Sequence, residues 1–115
     1  MRESFGERLR EFALSFDGAR EEFSFGPEHP LFTNAKGKIF AIASEQEDGT
    51  HVSLKLTPDE VLEAMTLPFV RPAPYLARNH WVLSVIGNEA EFEMTLEWIR
   101  RSYDLVCAKP ARKRQ

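Results

Sequence analysis

Apolar side chains recur every three to four residues in three segments of the chain, and this period predicts three amphipathic helices. The first segment carries an apolar stripe made of Phe5, Leu9, Phe12, Ala13 and Phe16. The last segment carries a second stripe made of Phe92, Leu96, Ile99, Tyr103 and Val106. Because each stripe occupies one side of its helix, both helices are expected to cover a core.

Each helical segment opens with a residue pair typical of a helix start. The pairs are Ser4 with Glu7, Thr57 with Glu60 (Pro58 lying between them), and Asn88 with Glu91. In such a capping box the first side chain accepts a backbone N–H bond and the glutamate reaches back. The first helix is expected to end at Asp17-Gly18. In the third, Glu97 and Arg101 are one turn apart and are expected to pair.

Five further runs are typical of strands: EEFSF, PLFTNA, KIFAIAS, HVSLKLT and HWVLSVIG. Alternation is clearest in the fourth, where Val52 and Leu54 alternate with Ser53 and Lys55, which predicts one buried and one polar face. The run EQEDGT reads as a hairpin loop with its turn at Asp48-Gly49. These connections favour an antiparallel meander.

Residues 67–76, LPFVRPAPYL, contain three prolines and lack a helical period. Because proline cannot donate to a sheet ladder, this segment is expected to be an extended edge or crossing segment. Trp81 is in phase with Leu83 and Val85, so it is expected to face the core. Together the elements predict an α+β fold, an antiparallel β-sheet with helices, in a single domain over residues 1–108.

Length and composition bound the class of protein. A chain of 115 residues with 43% hydrophobic and 29% charged residues fits one soluble globular domain. Its longest apolar runs fall far short of the roughly 20 residues of a membrane helix, so no membrane span is expected. The amino terminus alternates charged with apolar residues and lacks the apolar segment of a secretory signal. A cytoplasmic location is therefore expected.

The net charge of −3 is unevenly distributed along the chain. The tail KPARKRQ, residues 109–115, holds four of the 15 lysines and arginines, leaving 11 basic against 18 acidic residues elsewhere. We expect this tail to be disordered, with an electrostatic tether to nucleic acid as its functional alternative. A body this acidic binds nucleic acid only if its basic side chains gather on one face.

The stretch TNAKGKIFAIA, residues 33–43, resembles a phosphate-binding loop at first sight. A P-loop needs a longer glycine-rich turn followed by Lys-Ser/Thr and a helix, whereas Gly37-Lys38 is followed by Ile39 and a strand. We therefore predict a tight hairpin turn at Lys36-Gly37, with two lysines at its tip.

No other pattern indicates a catalytic or metal site. Cys107 is the only cysteine and is interpreted as a packing residue of the third helix. The histidines, at positions 29, 51 and 80, share no helical face and predict no metal site. Glu21 and Glu22 are adjacent in a strand and point to opposite faces. We expect no enzyme activity and no cofactor.

Several segments together resemble the MmcQ/YjbR family: ALSFDGAREEFSFG, PLF, KGKIFAIA, VSLKL, PAPYLARNHWV and SYDLV, in this order over nearly the whole chain. The family is similar in architecture to CyaY-like proteins, which implies an antiparallel sheet with helices packed on one face. Its members are usually described as DNA-binding. The basic and aromatic positions that the resemblance implies match Lys36, Lys38, Lys55, Arg71, Arg78 and Trp81. Residues 45–50 depart from that pattern, since they carry three acids.

We therefore expect Lys36, Lys38, Lys55, Arg71 and Arg78 to line an open sheet face that contacts the phosphates of double-stranded DNA, mainly without base readout. The alternative is a protein-binding or self-associating module that uses the same sheet face or an edge, with no nucleic-acid binding. A small enzyme is a third interpretation, which an apolar cleft with a titration-shifted carboxylate would support.

Overall fold

The computed structural model describes residues 4–73 and 79–108. Within them the chain forms three helices and six strands: α1 (Phe5–Leu14), β1 (Arg20–Glu22), β2 (Leu31–Thr33), β3 (Ile39–Gln46), β4 (Gly49–Lys55), α2 (Pro58–Ala64), β5 (Val70–Pro72), β6 (Trp81–Ile86) and α3 (Glu89–Cys107). None of these helices combines the length and the apolar character that crossing a bilayer requires.

The predicted start signals open all three helices. In α1 and α2 the capping box is complete, because Ser4 and Thr57 accept from the backbone and their glutamates reach back to the capping residue. In α3, Asn88 Oδ1 accepts from the Glu91 N–H at 2.9 Å. The Glu91 carboxylate, however, accepts from the Gly87 N–H at 2.7 Å, one residue further out.

Helix α1 ends earlier than predicted, at Leu14, three residues before Asp17. The Ser15 hydroxyl donates to the Phe12 carbonyl at 2.6 Å, a local bond that competes with continuation of the helix. Phe16 still packs on the core, where its ring stacks on Tyr103 with 4.5 Å between centroids. The apolar stripe therefore extends beyond the helix that it predicted.

The six strands form one antiparallel sheet in the order β1-β2-β3-β4-β6-β5. The five strands predicted from the sequence (β1, β2, β3, β4 and β6) lie side by side in the predicted antiparallel order, and β5 adds a sixth strand outside β6. Helix α2 separates β4 from β5 in sequence, so no hairpin links them. Strand β5, with Pro72, is an edge strand, as the prolines predicted.

The helices cover one face of the sheet, which confirms the α+β class. They contribute Leu9 and Ala13 from α1, Ala64 from α2, and Phe92 and Ile99 from α3 to the same core. The sheet contributes the side chains that point toward the helices, among them Phe32, Ala41, Ala43, Val52, Leu54, Val82 and Ile86. Ser53 and Lys55 alternate with the buried β4 residues and lie on the opposite face.

Three side chains of β6 are buried on the face that points away from the helices. Trp81, Leu83 and Val85 pair in register with Lys55, Ser53 and His51 of β4. Their exposed fractions are only 9%, 8% and 7%. Trp81 is therefore buried as predicted, but not in the core that the helices cover, and the face away from the helices is not uniformly open.

A buried serine of α3 lies between β3 and β4. Pairing of Phe32 with Ala41 and of Thr33 with Ile39 leaves Phe40 as an extra residue, a β-bulge. Direct pairing of β3 with β4 ends at the pair of Ala41 with Leu54. Just beyond that pair, the Ser102 hydroxyl donates to the Phe40 carbonyl at 2.7 Å and accepts from the Lys55 N–H at 2.9 Å. The hydroxyl thus connects two strands through the helix.

Arg101 pairs with α2 instead of with Glu97, contrary to the prediction. Its Nε donates to both carboxylate oxygens of Glu60 at 3.1 and 2.9 Å. Partial burial opposes ionisation of Glu60, but the hydrogen bonds from the Thr57 N–H and from Arg101 outweigh it and lower the pKa of the Glu60 carboxyl. The carboxylate that caps α2 therefore also joins it to α3.

We expect Ser102→Ala to reduce the free energy of unfolding by about 1 to 3 kcal/mol, because it leaves a buried carbonyl and a buried N–H without their partner. Chemical denaturation would measure the change. Ser24→Ala, at an exposed position, serves as the control and should stay within about 0.5 kcal/mol of the wild type. Equal stabilities of the wild type and Ser102→Ala would contradict the bridging role.

We expect Glu60→Gln to lower stability at neutral pH by up to about 1 kcal/mol, since the amide keeps the capping bond but loses the charge. Because the folded pKa of Glu60 lies below the ordinary value of 4.5, its ionic contribution is present above that value and is lost as the pH falls through the folded pKa. The difference from the wild type should therefore shrink in acid. Denaturation at several pH values, with Glu63→Gln of the same helix as control, measures it.

Candidate nucleic-acid interface

Lys36 and Lys38 lie in the turn between β2 and β3, and Asn34 organises this turn. The Asn34 side-chain oxygen Oδ1 accepts from the N–H groups of Lys36 and Lys38 at 3.0 and 2.9 Å. Its carbonyl accepts from the Gly37 N–H at 2.9 Å, and Gly37 has a φ of 81° that favours glycine. The predicted turn is confirmed. We call residues 34–38 the lysine turn.

Asn34 also ties the lysine turn to the end of α3. The residue is buried, and its Nδ2 donates to the Val106 carbonyl at 3.4 Å. The lysine turn therefore rests on a helix terminus, which restricts how far its two exposed lysines can move. The sequence analysis missed this residue, although an asparagine just before a glycine turn is a known turn former.

Lys55 lies at the same end of the sheet as the lysine turn. It ends β4, whereas Lys38 immediately precedes β3. The Ser102 hydroxyl contacts both the Phe40 carbonyl and the Lys55 N–H, so Lys55 lies beside Phe40, two residues from Lys38. The fold thus brings three of the five predicted cations together. We call Lys36, Lys38 and Lys55 the lysine end.

Arg71 does not join the lysine end. Its guanidinium lies 3.3 Å from the carboxylate of Asp48, in the β3–β4 hairpin at the opposite end of the sheet. His51 Nε2 lies 2.7 Å from the same carboxylate. The hydrogen bond with His51, helped by the charge of Arg71, lowers the pKa of Asp48. Arg78, the fifth predicted cation, lies outside the described residues.

Acidic side chains flank the lysine end on its helix side. Tyr103 of α3 donates its hydroxyl to the Asp17 carbonyl at 2.5 Å. Burial raises the pKa of Tyr103, and Cys107 and the charges of Asp17 and Asp104 act in the same direction. Asp17 and Asp104 therefore lie near the Tyr103 hydroxyl, beside the end of α3 to which the lysine turn is tied.

Cys107 is exposed, so its interpretation as a packing residue is wrong. Its Sγ nevertheless accepts from Asn34 Nδ2 at 3.5 Å, at the last turn of α3. Within residues 4–73 and 79–108, no group of three or more His, Cys, Asp or Glu side chains is placed to hold a metal ion.

A groove of about 760 Å³ lies between α1, the β1–β2 loop and the end of β3, and it carries several carboxylates. Three of them have structural partners. Glu7 belongs to the α1 capping box, Glu21 pairs with Arg10 at 2.8 Å, and Glu45 accepts from the Thr50 hydroxyl at 2.8 Å. These contacts give structural roles to three of the four carboxylates that line the groove among the described residues, the fourth being Glu28.

Comparison with known proteins gives a consistent result. A family model described as YjbR matches residues 14–105. The "Uncharacterized protein YbdF" of Escherichia coli O157:H7 is 27% identical over 115 residues, covering 99% of this chain and 93% of that protein.

Two crystal structures share the fold. Deinococcus radiodurans protein DR2400, a DUF419 domain, aligns with a TM-score of 0.78 at 25% identity over 92% of this chain and 80% of that one. A protein from Pseudomonas syringae aligns with a TM-score of 0.68 at 17% identity over 86% of this chain and 96% of that one. The names of these relatives assign no substrate or partner.

We expect Asn34→Ala to reduce the free energy of unfolding by about 1 to 3 kcal/mol and to speed amide exchange at Lys36 and Lys38, because it removes the acceptor of both N–H groups. Thr33→Val is a matched control at the neighbouring position. The Thr33 hydroxyl is buried and has no hydrogen-bond partner among the described residues, so its loss should be neutral or stabilising. Unchanged exchange in Asn34→Ala would contradict the organising role of Asn34.

Proposed function

Because this chain belongs to the YjbR family, we propose that it has the function that the family resemblance implies, the binding of double-stranded DNA without catalysis. The observation that supports this proposal is the lysine end, where three lysines share one end of the sheet. Lysine ammonium groups are compact charges that neutralise phosphates and read no base sequence. The proposed contact is therefore with the DNA backbone.

The proposed surface is smaller than the five-residue patch expected from the sequence. Arg71 is engaged by Asp48 at the far end of the sheet, so it contributes little while that ion pair holds. The centre of the face carries the buried side chains of β6, which offer no cation to a ligand. The part played by Arg78, and a cytoplasmic location, stay predictions.

The small number of cations implies weak binding with a strong dependence on salt. Each lysine that neutralises a phosphate releases counterions, so three contacts give a log–log slope of about −2.7. The tail KPARKRQ follows α3 in the sequence, and α3 ends beside the lysine turn. Its four bases would add to the slope if they also contact phosphates.

The alternative function is a protein-binding or self-associating module that has no affinity for nucleic acid. Such a module would show a mass that depends on protein concentration and a weak response to salt. The acidic composition favours it. DNA titrations at two salt concentrations separate the two functions, because only phosphate binding weakens steeply with salt.

We expect the combined variant Lys36→Glu, Lys38→Glu, Lys55→Glu to lose at least about tenfold in affinity for a labelled duplex, since three attractions become repulsions. Fluorescence anisotropy at about 50 and about 200 mM salt would measure both the affinity and the slope. Arg71→Glu is the control with the same change of charge per residue, and it should bind nearly as the wild type does. The tail stays unchanged in every variant.

Two results would contradict the proposal. One is a wild-type protein that does not bind the duplex at the lower salt concentration. The other is a lysine variant that binds as tightly as the wild type and with the same slope, since binding would then not involve the lysine end. A folded circular dichroism spectrum for each variant excludes loss of structure as the cause.

A further inference from the structure

Strand β1 (Arg20–Glu22) forms one edge of the sheet. It pairs with β2 on its inner side, and the described residues place no strand on its outer side. The backbone of an edge strand presents N–H and C=O groups that a strand from another molecule can pair with. This edge is therefore a potential site of contact between chains.

Two phenylalanines follow this edge directly and are exposed. Phe23 and Phe25 have 51% and 57% of their surfaces accessible. Their loop is structured, because the Gly26 N–H donates to the Phe23 carbonyl at 2.9 Å and the His29 N–H donates to the Gly26 carbonyl at 3.1 Å. Two half-exposed aromatic rings in a structured loop beside an open strand edge are typical of an interaction surface.

We propose that β1 pairs antiparallel with β1 of a second copy of this chain, around a two-fold axis at Glu21. In such a pairing the helices of both copies lie on the same side, so opposed residues must point to the same face. Only registers that set a residue opposite itself meet this condition. The register centred on Glu21 is the one that pairs all three residues of β1.

The charges of β1 match in this register and in no neighbouring one. Arg20 comes opposite Glu22 of the second copy, and Glu22 comes opposite Arg20 of the second copy. Opposite charges at directly opposed positions stabilise an antiparallel pair, and like charges destabilise it. Each of these registers sets two like charges at the axis, but centring on Arg20 or on Glu22 adds no opposite-charge pair within β1.

Glu21 meets Glu21 of the second copy on the helix side, and Arg10 offsets this repulsion. Arg10 Nε donates to the Glu21 carboxylate at 2.8 Å within each copy. The Arg10 side chain is 54% exposed, so it can also approach the carboxylate across the axis. The centre of the interface then holds two carboxylates and two guanidinium groups.

The same register brings the exposed Phe23 into the interface. If the pairing continues one residue beyond β1, Phe23 comes opposite Ala19 of the second copy, and Ala19 packs against the core. Burying the half-exposed Phe23 ring of each copy supplies apolar contact that a three-residue strand lacks. An interface this small predicts a weak association that depends on protein concentration.

Short length and charged residues also protect edge strands from pairing. A charge swap distinguishes charges that keep β1 unpaired from charges that pair it with a second copy. Arg20→Glu or Glu22→Arg alone turns both cross-strand pairs into repulsions, because the two-fold axis repeats each change. Combining the two substitutions restores both attractions with the signs reversed. Lys36→Glu, an exposed charge reversal away from β1, is the matched control.

Sedimentation velocity over a range of protein concentrations would measure the association. We expect a wild-type dimer, a dissociation constant raised at least about tenfold in each single variant, and recovery in the double variant. A wild type that stays monomeric at all concentrations would overturn the proposal. So would a dimer that the single variants leave unchanged, or one that the double variant fails to restore.

A cysteine cross-link tests the register directly, in a background in which Cys107→Ser removes the native thiol. Glu21→Cys should form an intermolecular disulfide on mild oxidation, since opposed residues lie within the range that a disulfide spans. Ser24→Cys is the control, because position 24 lies beyond the paired strand, in the turn closed by the bond from the Gly26 N–H to the Phe23 carbonyl. Equal cross-linking of both variants, or none by Glu21→Cys, would overturn the register. Neither test involves DNA, so failure of this inference leaves the proposed function untouched.

Discussion

The hydroxyl of Ser102 is the contact on which the arrangement of the lysine end depends. It satisfies a carbonyl of β3 and an N–H of β4 where the bulge at Phe40 ends the direct pairing of these strands. Because the bulge directs both Phe40 and Ala41 into the core, the strand changes direction just where it meets the lysine turn. Asn34 then attaches that turn to Val106, on the same helix as Ser102. Helix α3 therefore positions both the lysine turn and Lys55.

A net charge of −3 conceals a separation of charge along the sheet. The acids Glu45, Glu47 and Asp48 lie in or beside the β3–β4 hairpin, and the eight residues of β3 separate this hairpin from the lysine turn. That distance is roughly 23 Å, whereas the screening length at physiological salt is only about 8 Å. The acids of the hairpin therefore cancel little of the potential at the lysine end. The hairpin acids are therefore a weak argument against phosphate binding at the lysine end, whereas Asp17 and Asp104 lie closer to it.

Local features of this fold could be predicted, and contacts between distant residues could not. The helix starts at Ser4, Thr57 and Asn88 and the alternation of β4 are encoded in neighbouring residues, and they were confirmed. The contacts of Ser102 cross 47 and 62 residues of sequence, so no window along the chain reveals them. The ion pairs of Arg101 with Glu60 and of Arg71 with Asp48 could not be predicted for the same reason, because the partners come from other elements. The similarity to CyaY-like proteins stays a prediction.

Because of Pro72, the two edge strands of the sheet differ in their ability to pair with an added strand. It lies in β5, the edge opposite to β1, and its nitrogen carries no hydrogen to donate to an added strand. A sheet can grow into a fibre only if both of its borders accept strands. Pro72 removes a donor from one border, so strand addition there is disfavoured and β1 is the border better suited to pairing. Assembly through β1 alone closes after two molecules and gives a dimer in place of a growing fibre.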